Sequence, residues 1–183
     1  MDTNNQLKAS IHKLLPQLAR IQVLIIDDNV QMSKVVRDML DAIGFERIYT
    51  ARDGSAAIKM LSQRPIDMVL TDWRMEPMDG LSFVKFIRSS PDSPNRFLPI
   101  IMMTGQAEIE HVQGARDAGV NEFVVKPFTV RALMERIIMV IEQPRSFVMA
   151  KTFKGPDRRR KNSEPPTGQD RRRRRDEDPF GGV

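Results

Sequence analysis

The sequence predicts an α/β fold: a five-stranded parallel sheet, doubly wound, with helices on both faces. Three observations predict it. Strand-like and helix-like segments alternate five times between residues 21 and 143. The first of these segments, Ile21 to Ile26, is an almost continuous apolar run, the mark of a strand buried on both faces. The candidate strands also end on polar or turn-forming residues, so that chemistry gathers at one edge of the sheet.

Taken in order, Leu7, Ile11, Leu14, Leu15 and Leu18 fall at helical spacing, so 5–19 reads as an amphipathic helix. Pro16 disfavours an undisturbed end to it. Residues 1–20 therefore read as an N-terminal helical extension, packed on the domain or loosely attached, with a dimer contact as the second reading. After the first strand, Asp27-Asp28-Asn29 signals a helix start. The helix over 30–43 follows, with Val35, Val36, Met39, Leu40 and Ile43 inward, and Gly44 ends it. Arg47 to Thr50 reads as a second strand, Gly54 to Gln63 as a helix, Ile66 to Thr71 as the third strand, and Leu81 to Ser89 as a helix. Pro91, Pro94 and Pro99 bracket a loop. Leu98 to Met103 is the fourth strand, Glu108 to Ala118 a helix, and Glu122 to Val125 the fifth strand. Thr129 caps a last helix that runs to about Glu142. Right-handed crossovers leave few ways to wind these pieces. The 12 methionines mostly sit in the apolar runs and read as core filler.

Composition narrows the function. The 183 residues include no cysteine, which excludes disulfides, thiolate catalysis and cysteine metal sites. No apolar run spans a bilayer, and Met1 to Arg20 has no signal-peptide pattern, so the expected location is cytoplasmic. The net charge of +5 conceals an asymmetry. From Arg145 onward there are 12 basic and 6 acidic residues, against 17 and 18 in 1–144. A near-neutral domain carries a basic tail, and an anionic partner is expected for the tail alone.

The chemistry centres on Val69-Leu70-Thr71-Asp72, where a buried strand ends on an acid and the turn residues Pro77, Asp79 and Gly80 follow. The first strand ends on Asp27-Asp28, the fourth on Thr104 and the fifth on Lys126. In a parallel sheet these ends share one edge, so three carboxylates, a hydroxyl and an ammonium meet in one crevice. Clustered carboxylates repel unless a cation lies among them, and an all-oxygen set suits Mg²⁺. No glycine-rich loop cradles a nucleotide, so a phosphoryl group would come from elsewhere, with Asp72 as nucleophile and an aspartyl-phosphate as product. Asp53 and Asp79 read as capping and turn residues, Trp73 as a half-exposed loop aromatic, and His12 and His111 as solvated.

This set resembles the receiver domain of two-component response regulators, whose minimal example is the chemotaxis protein CheY. The resemblance covers roughly 21–143 and rests on Asp27-Asp28, Asp72-Trp73-Arg74-Met75, Met78-Asp79-Gly80, Thr104-Gly105 and Lys126-Pro127-Phe128. It implies that Asp28, Asp72 and the backbone carbonyl of Arg74 bind Mg²⁺ directly, with Asp27 acting through water. It implies a phosphoacceptor at Asp72, assisted by Lys126 and Thr104, and a cis Lys126–Pro127 bond. It makes Thr104 and Phe123 a switch that reshapes the face of the fourth helix, fifth strand and fifth helix. A histidine kinase or phosphotransfer protein would supply the phosphoryl group, and a downstream protein would read that face. Such a domain is no enzyme beyond catalysing its own phosphorylation and dephosphorylation. Three positions depart from the usual pattern: Glu76 replaces a proline, Phe123 has no hydroxyl, and Gly105 leaves the phosphoryl group accessible.

Residues 144–183 read as a disordered arginine-rich tail with nothing to build a core or a helix-turn-helix effector. A stand-alone receiver is therefore expected. The tail repeats Gly-x-Asp-Arg-Arg-Arg, first at Gly155 and again at Gly168. It resembles the extensions of a CheY-like subfamily that binds cyclic di-GMP. Guanidinium groups pair with phosphate and with the guanine edge, and carboxylates accept from that edge, so the expected ligand contacts are Asp157, Arg158, Arg159, Arg160, Asp170, Arg171, Arg172 and Arg173. Attachment to nucleic acid or an anionic membrane is the purely electrostatic alternative.

Overall fold

The computed structural model of the chain describes residues 16–105, 112–149 and 154–157. Five strands form one parallel sheet: β1 (Gln22–Ile26), β2 (Arg47–Ala51), β3 (Met68–Asp72), β4 (Ile100–Thr104) and β5 (Glu122–Val125). Their order is β2-β1-β3-β4-β5. The chain winds outward from β1 in both directions, so the edge crevice expected of a doubly wound sheet falls between β1 and β3. Five helices alternate with the strands: α1 (Val30–Ile43), α2 (Gly54–Leu61), α3 (Gly80–Ser89), α4 (Val112–Ala118) and α5 (Val130–Glu142).

Period-two alternation divides the core. Val23 and Ile25 of β1 join Leu70, Ile101, Met103 and Val124 beneath α1 and α5. Leu24 and Ile26 join Val69, Ile100 and Met102 beneath α2, α3 and α4. All of these are buried, so the central strands carry apolar residues on both faces. Short polar caps set the helix starts. Asn29, Asp53, Asp79 and Thr129 each accept a backbone N–H of the first turn. The capping role read for Asp53 and Asp79 is thus observed. Gly44 closes α1 in the left-handed conformation.

Several expectations need correction. Val35, expected inward, is 47% exposed. Ser33 takes an inward place on α1 instead, its hydroxyl donating to the Asp27 carbonyl at 3.4 Å. Ile66 and Leu98 are buried but lie before their strands, in the turns that lead into β3 and β4. Of the N-terminal helix, only its end lies within the described residues: 16–18 are helical and Leu18 is buried in the α1–α5 layer.

The largest difference lies after α5. The segment from 144 is expected to lack a core. In the structure Phe147–Met149 and Lys154–Pro156 form an antiparallel pair, β6 and β7. Gly155 and Pro156 are buried, and β7 lies against α3 and α4. Side chains of the domain supply the apolar surface that so short a hairpin cannot provide for itself.

Candidate functional site

The carboxyl edge of the sheet is built by backbone order before any side chain acts. The Asp27 N–H donates to the Ala51 carbonyl at 3.1 Å, which holds the first residue past β1 in place. The Trp73 N–H donates to the Met103 carbonyl at 3.1 Å, and the Lys126 N–H to the Thr104 carbonyl at 2.7 Å. Gly80 closes the loop after β3. Its N–H donates to the Trp73 carbonyl at 3.0 Å, and a Cβ there would collide with the Asp72 carbonyl. Only glycine fits, so α3 starts directly against the backbone of Asp72.

On this frame Asp27, Asp28 and Asp72 present carboxylate oxygens that all lie within 4.8 Å of one another. The three differ in setting: Asp27 is buried, Asp72 half-buried and Asp28 exposed. Lys126 reaches in from the fifth strand, with Nζ 2.8 Å from Asp72 Oδ1 and 3.2 Å from Asp27 Oδ2. The other Asp27 oxygen accepts the Asn29 N–H at 2.9 Å. Burial nonetheless raises the Asp27 pKa, with the Asp72 charge adding to it, against the lowering effects of the Asn29 N–H and Lys126. One lysine is shared by two carboxylates while a third stands close by. This donor set fits a hard divalent cation bound through oxygen.

Thr104 is fully buried at the end of β4, its hydroxyl donating to the Gly105 carbonyl at 3.2 Å. Phe123 is half-buried in the layer under α2, α3 and α4, in register with Met102. Trp73 is half-buried beside Asp72, and exposed Arg74 lies in the turn that follows. Lys126–Pro127 is cis as expected, and Glu76–Pro77 is cis as well. His12, His111, Arg158, Arg159, Arg160, Asp170, Arg171, Arg172 and Arg173 lie outside the described residues. Asp157 is described, and its N–H donates to the Ser146 carbonyl at 2.7 Å.

Sequence reasoning passed over Arg88. It is 1% exposed at the end of α3, and its guanidinium donates to the Gly119 carbonyl (3.0 Å), the Arg96 carbonyl (2.8 Å) and Asn121 Oδ1 (3.0 Å). Burial lowers its pKa to about 10, which leaves it charged at neutral pH. A signal existed: Gly80, Phe83, Val84, Ile87 and Arg88 are the buried positions of α3 and follow the helical period without a break.

Fold and site together define a class. The chain belongs to the response regulator receiver domain family, whose sequence profile matches residues 23–138. It is 37% identical over 123 residues to chemotaxis protein CheY-3 of Vibrio cholerae, covering 67% of this chain and 93% of the relative. It is 35% identical to chemotaxis protein CheY of Pseudomonas aeruginosa, covering 67% of this chain and 98% of the relative. Among solved structures it is similar to the chemotaxis response regulator CheY4 of Vibrio cholerae, with a TM-score of 0.59 at 29% identity, over 66% of this chain and 98% of that one. It is also similar to the receiver domain of a Pseudomonas aeruginosa sensor histidine kinase that holds a magnesium ion in its active-site cleft. That likeness has a TM-score of 0.56 at 29% identity, over 65% of this chain and 94% of the other. No helix among the described residues is long and apolar enough to cross a membrane.

Proposed function

We propose that this chain is a response regulator of a two-component phosphorelay, whose Asp72 accepts a phosphoryl group from a histidine kinase or phosphotransfer protein. The observation that carries this reading is the convergence of Asp27, Asp28 and Asp72 around Lys126 at one sheet edge. An oxygen of Asp72 attacks phosphorus, and the bond from phosphorus to the donor atom breaks, the electron pair leaving with the donor. Lys126 holds the acceptor carboxylate and neutralises charge on the transferring group, while Thr104 contacts a phosphoryl oxygen. Asp28, Asp72 and the Arg74 carbonyl would hold Mg²⁺ directly, with Asp27 acting through water; bound there, the cation would supply charge neutralisation during transfer. The product is read by a downstream protein on the face of α4, β5 and α5. Beyond its own phosphorylation and dephosphorylation the chain turns over no substrate. Incubation with acetyl phosphate and Mg²⁺ should add one acid-stable, base-labile phosphoryl group, and EDTA should prevent it. Labelling that is equally fast in EDTA would remove the metal from the reaction.

The raised pKa of Asp27 gives the site a pH dependence. Above that pKa the carboxylate is charged and attracts the cation; as pH falls through it, a charge is lost and Mg²⁺ binding weakens. The weakening should therefore begin above the usual aspartate range. In Trp73 fluorescence titrations, Asp27→Asn should lose this upper part of the profile, and Asp28→Ala should weaken binding more than Asp27→Ala. For stability in EDTA the sign is opposite. A raised carboxylate pKa contributes stability at low pH that is lost as pH rises through it. Asp27→Asn should therefore melt above wild type at neutral pH. A lower melting temperature would show that the Lys126 contact outweighs the burial cost.

A further inference from the structure

The β6–β7 hairpin is anchored at the amino edge of the sheet, opposite the acidic site, and its anchors gather on one region. Arg145, just before β6, contacts Glu122 at 2.6 Å, and Arg136 of α5 approaches the same carboxylate at 3.7 Å. The Phe147 ring meets Phe97 edge-on, with centroids 4.7 Å apart, and lies 5.6 Å from the Arg88 guanidinium. Arg88 in turn donates to Gly119 and Asn121. Asn121 Oδ1 also accepts the Ile100 N–H at 2.9 Å, and the Asn121 N–H reaches the Ile100 carbonyl at 2.9 Å.

These anchors are the starting points of the two strands that end at the acidic site. β4 runs from Ile100 to Thr104, and β5 from Glu122 to Val125, one residue before Lys126. Four extended residues span about 13 Å. A displacement of Lys126 or Thr104 along its strand therefore reaches Glu122, Asn121 and Ile100 through a stiff, paired element. The hairpin has little slack to absorb it. At Gly119, where φ is 104°, a Cβ would come within 3.0 Å of the Lys154 carbonyl and 2.9 Å of Arg88 Cγ. The backbone of β7 thus approaches the end of α4 as closely as a glycine permits. A small shift of this edge breaks the fit, and the undocked hairpin has too few pairs to persist alone.

We propose that the β6–β7 hairpin is a strap that docks on the Arg88–Gly119–Glu122 edge and is released when the Asp72 site is occupied. It would thereby report that occupancy to the basic sequence Arg158-Arg159-Arg160-Lys161 directly after it. The proposal rests on the phosphoacceptor reading of Asp72. Docked and undocked states form the two-state element that coupling between the two edges requires.

The test uses the full chain with Mg²⁺ and beryllofluoride, a mimic of the aspartyl-phosphate, and follows hydrogen exchange of the amides of 147–149, Lys154, Gly155 and Asp157. Exchange there should quicken at least about five-fold on binding, the lower end of ordinary coupling between sites. Linkage is reciprocal, so Phe147→Ala and Arg145→Gln should bind beryllofluoride more tightly, by a factor approaching that acceleration. Arg145→Gln leaves the Arg88 contacts untouched and serves if Phe147→Ala fails to fold. Unchanged exchange while Trp73 fluorescence reports binding would overturn the strap and leave the acceptor reading intact. Wild-type affinity in both variants would do the same. A hairpin response that persists in Asp72→Asn would place the ligand elsewhere and also overturn it. If beryllofluoride fails to bind at all, the acceptor reading falls and the strap falls with it.

Discussion

Asp72→Asn should lose phosphoryl uptake from acetyl phosphate by about 10³-fold or more, the scale on which removing a nucleophile acts. The substitution keeps shape and removes the charge. An amide oxygen is a poor nucleophile, and Lys126 keeps its contact with Asp27 at 3.2 Å, so the site does not collapse. The fold should survive, because removing one of three neighbouring carboxylates relieves repulsion. Asp79→Asn is the matched control. Asp79 lies seven residues on, but its carboxylate is committed to the Ser82 N–H at 2.6 Å as the cap of α3. It should label like wild type. Full labelling of Asp72→Asn, or loss of labelling in Asp79→Asn, would move the acceptor away from Asp72.

Arg88→Met should produce a large loss of stability for a substitution outside the site. Three hydrogen bonds from one buried guanidinium are removed. Asn121 Oδ1 keeps the Ile100 N–H as a donor, but the Gly119 and Arg96 carbonyls lose the donor that Arg88 supplied. Each such loss costs about 1–3 kcal/mol. Relief from burying the charge, visible in the lowered pKa of Arg88, offsets part of this. A net loss of about 2–4 kcal/mol follows, or roughly 10 °C in Tm for a domain of this size. Arg88→Lys should recover little, because an ammonium cannot place donors on three acceptors in fork geometry. A melting temperature for Arg88→Met within 2–3 °C of wild type, the effect of about 1 kcal/mol, would show that the edge is held by apolar packing alone.

What was legible in the sequence followed from burial. β1 and β4 are apolar on both faces, so their continuous runs could be read without knowing their neighbours. The site was legible because each of its groups sits at or just past a strand end, and parallel pairing brings those ends together whatever the loops do. Val35 was misplaced because α1 carries Met32, Val35, Val36 and Met39 in close succession, and more than one apolar stripe fits that spacing. Ser33 settles the choice through a hydrogen bond to Asp27, which periodicity cannot see. The hairpin was missed for a related reason. Lys154–Pro156 carries no apolar alternation to mark a strand, yet Pro156 lies in a two-stranded edge where a missing N–H is tolerated. Its surroundings come from Arg88, Phe97 and Gly119, all remote in sequence.

The two Gly-x-Asp-Arg-Arg-Arg units look interchangeable on paper. The structure makes the first of them answerable to the fold. Gly155 pairs with Val148 and Pro156 with Phe147, both are buried, and the Asp157 N–H is bound to Ser146. The opening residues of that unit are therefore committed to packing while the hairpin is docked, and a ligand that needs them must compete with that docking. A peptide cut from the chain at 151 lacks β6, the strand that gives Gly155 and Pro156 their pairing. It is a different molecule from the same residues in place.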